Sequence, residues 1–206
     1  NIRALLNPLH ITSFCLCDKL KSERFYGAEQ IIVLSASSKT AIGMAQGLLD
    51  SGVSPKTLGI TSRSNYDFVR SLGCYSHVYC YDELDNLDSD KSSVIIDMSG
   101  NRAVLGAIHD SLGSQMLNCI NVGMTHWDTL ANNDPMGAKI NRERSNFFFA
   151  PAHVQKRIGD WGHDVFNQRA AEFMIRRMRQ STNWMRITEV NGFDSFVSIY
   201  DAIVAG

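Results

Sequence analysis

The stretch Gln30-Ile31-Ile32-Val33-Leu34-Ser35-Ala36-Ser37-Ser38-Lys39-Thr40-Ala41-Ile42-Gly43 decides how the rest of the chain reads. Gln30 to Leu34 is an apolar run closed by small residues. It lacks polar alternation, which predicts a strand buried on both faces. From Lys39 to Asp50, Ile42, Ala45, Leu48 and Leu49 share a stripe at helical spacing, and Ser51-Gly52 ends it. A doubly buried strand leading into a helix opens a β-α-β unit.

Outward from there the pattern repeats. Strands are expected at Thr57–Thr61, His77–Cys80, Val94–Met98, Gln115–Val122 and Phe147–Ala150. Helices are expected at Asn65–Leu72, closed by Gly73, and at Arg102–Leu112, stopped by Gly113. A long helix is expected from Val154 to Arg179, with breaks suggested at Gly159 and Gly162. Strand and helix alternating at this spacing imply right-handed crossovers. The expected fold is α/β, a doubly wound parallel Rossmann-type sheet of about six strands. Residues 29–182 make that domain. Residues 1–28 read as an amino-terminal helix or packing arm. Residues 183–206 read as a strand, Trp184–Val190, and an amphipathic helix carrying Phe196, Ile199, Tyr200 and Ile203 on one stripe.

Composition narrows the function. Hydrophobic residues make up 44% and charged residues 20% of 206, a globular mixture. Lys and Arg number 20 against 21 Asp and Glu, for a net charge of −1, which removes the electrostatic case for nucleic-acid binding. No apolar run reaches the ~18–20 residues of a membrane span. The five cysteines are scattered and odd in number, without C-x-x-C spacing, and read as buried thiols of a reducing compartment. The chain starts at Asn1 without Met or signal peptide, so it is expected to be an excerpt of something longer.

Ligands of such a sheet sit beyond the carboxyl ends of its strands. After the first strand, the dinucleotide fingerprint G-x-G-x-x-G keeps only its last glycine, Gly43. Ser35 and Ser37 stand in this loop, and Ser37, Ser38 and Thr40 add hydroxyls and Lys39 a charge at a helix N-terminus suited to an anion. The competing reading is a helix capped by Ser37 or Ser38 with no ligand. The frame of a Walker A loop is absent. After the second strand, Thr61-Ser62-Arg63-Ser64-Asn65 holds an arginine and no carboxylate. Ser62 and Arg63 would suit the 2′-phosphate of NADP; the alternative is a solvated loop arginine. The fourth strand ends in Ser99-Gly100 and the fifth at Gly123. Gly123-Met124-Thr125-His126-Trp127-Asp128 follows, where His126 could serve as a general acid, its tautomer set by Thr125 or Asp128. The alternative is that His126 and Trp127 are a packing pair. His153 reads as a helix-entry cap or surface group. Arg169, Arg176, Arg177 and Arg179 read as a solvated face, with Met174, Ile175 and Met178 as core.

These residues carry a resemblance. The strand order is similar to the cofactor half of the medium-chain dehydrogenase/reductase superfamily, nearest its zinc-free quinone and enone reductases. Thr40-Ala41-Ile42-Gly43 resembles the family's helix start, and Phe68-Val69-Arg70-Ser71-Leu72-Gly73 its helix end. Val94 to Gly100 resembles the D-x-x-G strand end, and Phe193 to Gly206 the terminal helix beneath the sheet. Tyr79-Cys80-Tyr81 resembles the third-strand tail, where the family places a tyrosine beside the adenosine phosphate. Thr12-Ser13-Phe14, Leu34 to Ala41, Gly123 to Asp128 and Phe148-Phe149-Ala150-Pro151 together resemble an uncharacterised branch known as a domain of unknown function. The likeness covers nearly the whole chain.

The resemblance implies a nicotinamide cofactor, NADP(H), and metal-free hydride transfer to a carbonyl or activated alkene. The pyrophosphate would lie at Ser35, Ser37, Ser38, Lys39, Thr40 and Gly43, with Tyr81 beside it. The 2′-phosphate would meet Ser62 and Arg63, and the nicotinamide would lie near Ser99, Gly100, Gly123 and Phe149, with His126 as proton donor. The chain departs from the family in the glycine loop, in Asn65 where many enone reductases carry lysine, and in lacking a zinc-ligand set. The family's amino-terminal barrel-like domain is missing from these residues, and the resemblance implies that residues 1–28 are its remnant. The rival reading is a degenerate reductase fold serving as a structural or interaction subunit. The expected partners are a small-molecule substrate, and a second copy joined through the edge strand or a larger assembly.

Overall fold

In the computed structural model, residues 2–52, 54–123, 139–187 and 196–201 are described. Six strands form one sheet: β1 (Gln30–Leu34), β2 (Lys56–Thr61), β3 (His77–Cys80), β4 (Ser93–Asp97), β5 (Met116–Val122) and β6 (Ser145–Phe148). Their order is β3-β2-β1-β4-β5-β6 and every pairing is parallel. This is the doubly wound Rossmann-type arrangement, with its switch point between β1 and β4. The helices are α1 (Ile2–Ser22), α2 (Lys39–Ser51), α3 (Tyr66–Ser71), α4 (Arg102–Leu112), α5 (Ala150–Trp161) and α6 (His163–Ser181).

The alternation of β1 explains its unbroken apolarity. Ile31 and Val33 enter the core shared with α1 and α2, whereas Ile32 and Leu34 enter the core shared with α4. Both sets are fully buried. At the helix ends, Gly52 and Gly73 take positive φ (66° and 63°), so both helices stop where a Cβ would be strained.

The amino-terminal segment is one helix built into the body of the fold. Leu16 and Leu20 of α1 are wholly buried. Ser13 Oγ donates to the Thr40 carbonyl at 2.8 Å, and Cys17 Sγ to the Met44 carbonyl at 3.3 Å. Two α2 glycines permit this approach. A Cβ on Gly43 would lie 2.7 Å from Ser13 Oγ, and one on Gly47 2.5 Å from a Phe173 ring carbon.

Four local expectations need correction. The long helix starts at Ala150 and divides at Gly162 (φ +81°), with Gly159 inside α5. β6 lies at Ser145–Phe148, two residues earlier than expected, because Pro151 enters the first turn of α5. On α6 the buried residues are Phe166, Ala170, Arg177 and Ser181, while Ile175 is 54% exposed. The arginine face is therefore not uniformly solvated: Arg177 is buried and paired with Asp50 of α2. Finally, Trp184 lies in the turn after α6 and 185–187 form no strand; 188–190 lie outside the described residues. Helical residues 196–201 present Phe196, Ile199 and Tyr200 to solvent.

All five cysteines are free and buried. Burial pushes the thiols of Cys15, Cys17, Cys74 and Cys119 up to about 12. Among the described residues, no helix is long and apolar enough to cross a membrane.

Candidate functional site at the carboxyl ends of the strands

The turn from β1 into α2 stands at the switch point. Ser35 takes the left-handed conformation, φ +59°. Its N–H donates to Tyr81 Oη at 3.1 Å, so the phenol at the end of β3 reaches across β2 to the loop. Burial raises the Tyr81 pKa, and the Ser35 amide works against that rise. The Ala36 N–H donates to the Ile60 carbonyl at 2.9 Å, and Tyr75 Oη donates to the Ala36 carbonyl at 2.9 Å. Ser38 caps α2, its Oγ accepting from the Ala41 N–H at 3.3 Å. Ser38 Oγ also lies 3.6 Å from Met98 Sδ, joining the loops after β1 and β4. Lys39 is exposed at the first helical position. N–H groups of a first helical turn have no partner within the helix, so this end offers donors to an anion. Gly43 is not at this end: its Cα faces Ser13 and His10 of α1, and helix packing explains it.

Beyond β2 and β3 lies a charged rim. Ser62 and Ser64 hydroxyls are 2.9 Å apart, and Asn65 Nδ2 donates to Ser62 Oγ (3.1 Å) and Ser37 Oγ (3.3 Å). Arg63 is not a lone loop cation. Its Nη2 donates to Asp82 Oδ2 at 2.8 Å and its Nη1 to Glu83 Oε1 at 3.2 Å. The Asp82 hydrogen bond raises the Arg63 pKa, and the guanidinium in turn lowers that of Asp82. Glu83 is held low first by the Cys80 N–H, which donates to its Oε2 at 2.9 Å, and also by Arg63. Sequence reasoning missed both acids. The signal was available in Asp82-Glu83, directly after the third strand.

At the end of β4 the buried Asp97 organises the next turn. Its Oδ1 accepts from Ser99 N–H (2.8 Å), Ser99 Oγ (2.7 Å) and the Gly100 N–H (3.3 Å). Gly100 has φ +64°, and Asn101 caps α4. Asp97 is the aspartate of the D-x-x-G strand end, a motif to which the sequence alone attached no organising role. In the register it is paired with Leu34 on one side and the buried Asn121 on the other. Gly123 follows β5, exposed, with φ +85°. Met124, Thr125, His126, Trp127 and Asp128 lie outside the described residues.

Phe149 joins β6 to α5 and is 58% exposed, three strands from β1. The ends of β1, β2, β3 and β4 thus gather Ser35, Ser37, Ser38, Ser62, Tyr81 and Ser99, with Gly123 and Phe149 farther along the sheet. A largely apolar cavity of about 400 Å³ opens between α1 and the start of α5, lined by Pro8, Ile11, Thr12, Ala150, Pro151, Val154 and Gln155. His153 is no surface cap: its Nε2 lies 2.7 Å from Asp18 of α1, which also accepts from Arg157 Nε at 2.5 Å. Burial works to raise the Asp18 pKa, but the hydrogen bonds from His153 and Arg157 prevail and lower it. Among the described residues, the grouping of metal-type donors is Cys80, Asp82 and Glu83, and its two carboxylates hold Arg63.

A family profile described as "Protein of unknown function (DUF2855)" matches residues 1–206. The crystal structure of CurK enoyl reductase is similar to this chain at a TM-score of 0.50 and 12% identity. The alignment covers 88% of this chain and 52% of that one, so the chain spans about half the length of that reductase. At this identity the likeness is one of fold, and the fold is reductase-like. No curated protein sequence matches.

Proposed function

This chain belongs to the DUF2855 family of proteins of unknown function, and we propose that it is the cofactor-binding part of a zinc-free reductase of the medium-chain dehydrogenase/reductase type. In this reading, residues 29–182 are the cofactor domain, 1–28 its amino-terminal arm and 183–206 its carboxyl-terminal segment. The observation that carries the proposal is the β1–α2 turn. It stands at the switch point, and Ser35 keeps the left-handed backbone that a fingerprint glycine would supply.

The residues present fit a nicotinamide dinucleotide. The start of α2 receives the pyrophosphate, with Ser37, Ser38, Lys39 and Thr40 as donors, beside Ser35 and Tyr81. Ser62 and Arg63 stand at the adenosine ribose, where NADP(H) would bring its 2′-phosphate. Asp97 holds the Ser99-Gly100 turn rigid, and Gly123 and Phe149 flank the nicotinamide end. When bound, the nicotinamide supplies a hydride for a carbonyl or activated alkene. The largely apolar cavity between α1 and the start of α5 takes the hydrocarbon part of that substrate, and His126 delivers the proton.

One observation favours the non-catalytic subunit instead. Two loop N–H groups are already satisfied, Ser35 by Tyr81 and Ala36 by Ile60. Titration of the full-length protein with NADH and NADPH, read by cofactor fluorescence, decides. The reductase reading expects one dinucleotide to bind and Lys39→Asp to weaken it about tenfold, since an acid at a helix N-terminus repels the pyrophosphate without harming the helix. No binding of either dinucleotide to folded protein would favour the subunit reading.

A further inference from the structure

The rim that would meet the adenosine ribose carries Arg63, Asp82 and Glu83, whose formal charges sum to −1. Arg63 and Asp82 are open to solvent, at 63% and 66% exposure, and Glu83 is half as exposed, at 32%. Glu83 differs from Asp82 in being anchored. One of its oxygens accepts from Arg63 and the other from the Cys80 backbone N–H at the end of β3. If Arg63 swings away, the Glu83 carboxylate stays.

Building on the dinucleotide reading above, we propose that Asp82 and Glu83 are specificity-determining residues that turn this cleft toward NAD(H) and against NADP(H). A 2′-phosphate brings about −1.5 to −2 charges. Arg63 already spends two of its five N–H groups and its charge on two carboxylates, and a phosphate that engages the rest must stand beside the fixed Glu83. An exposed ion pair is weak by itself. The discrimination therefore comes from the repulsion built into the rim, and only secondarily from the occupied guanidinium. Dinucleotides without the phosphate meet neither obstacle. This proposal sets NAD(H) against the NADP(H) expected from Ser62 and Arg63, because the two acids come from the end of the neighbouring strand.

The test is a titration of full-length wild type, Glu83→Gln and Asp82→Asn/Glu83→Gln with NADH and NADPH, each variant checked for unchanged melting. Gln keeps an oxygen for the Cys80 N–H, so the turn is preserved. Wild type is expected to bind NADH at least about tenfold tighter than NADPH. The double variant is expected to gain about tenfold for NADPH with NADH little changed, and adding Arg63→Ala removes that gain. For wild type, raising salt from about 0.05 to 0.5 M is expected to narrow the gap between the two cofactors, since the rim is exposed. Equal binding, a wild-type preference for NADPH, or a double variant with unchanged selectivity overturns the specificity assignment and leaves dinucleotide binding standing. Failure of folded wild type to bind either cofactor overturns both.

Discussion

Ser35 holds a backbone conformation that glycine adopts at no steric cost, and its side chain stands where a dinucleotide loop usually has none. The left-handed region costs an L-residue about 1–2 kcal/mol, part of which Gly returns as unfolded-state entropy. Ser35→Gly is therefore expected to raise stability by up to about 1 kcal/mol, measured as a higher urea midpoint with unchanged slope. Ser38→Ala is expected to cost about 1 kcal/mol through loss of the cap on the Ala41 N–H. Gly47 answers to packing and not to the turn. Its α2 backbone lies against Phe173 and Cys17. Gly47→Ala is expected to destabilise by about 1–3 kcal/mol as α6 is pushed outward. A small residue in α2 was legible in the sequence; that Gly43 serves α1 was not, because its partner Ser13 is 30 residues earlier.

At the scale of elements, α6 shows how tertiary contact overrides periodicity. Its apolar residues Met174, Ile175 and Met178 suggest one buried stripe, yet the helix docks through Phe166, Ala170, Phe173 and Arg177. The cause is Asp50 at the end of α2, which accepts from the buried Arg177. Arg177 also places its guanidinium 5.1 Å from the Phe173 ring centroid. Leaving a buried charge without its partner costs about 3–5 kcal/mol. Asp50→Ala strands Arg177, which is 1% exposed, whereas Arg177→Met strands an Asp50 that is 27% exposed and lies 3.8 Å from Arg176. Asp50→Ala is thus expected to lower the melting temperature more than Arg177→Met. The reverse order would mean that Phe173 stacking, not the ion pair, holds α6. The α1–α5 contact works similarly through Asp18, His153 and Arg157.

The whole molecule carries a pH dependence from its buried imidazoles. His109 is 4% exposed; its Nδ1 accepts from the Asn141 N–H at 3.1 Å, and desolvation lowers its pKa to about 4. His10 is lowered too, by burial and by the Arg177 charge. A histidine unfolded near pH 6.5 takes up a proton that the fold refuses. His109 therefore contributes its stability in full above about pH 6.5 and loses it as pH falls toward about 4, by up to ~3 kcal/mol. Denaturation near pH 7.5 and about pH 5 should show the drop, and His109→Gln should flatten part of it.

The alternation of strand and helix was determined by the sequence itself. Strands covered on both faces, such as Ile31–Leu34 and Val94–Ile96, must be apolar without interruption. Gly52 and Gly73 mark helix ends through local backbone sterics that need no distant partner. The sites of serine, threonine and lysine at the β1–α2 turn were legible for the same reason. Only the tertiary structure decided what those groups touch. β3 pairs beside β2, which brings Asp82 and Glu83 onto Arg63 from 19 and 20 residues away. α1 lies across α2 and meets α5, which joins Asp18 to His153 across 135 residues. Charge and hydrogen-bond partners act through space, and spatial neighbours are set by strand order and helix docking. A lone arginine in the sequence thus became, in the fold, an arginine held by two acids.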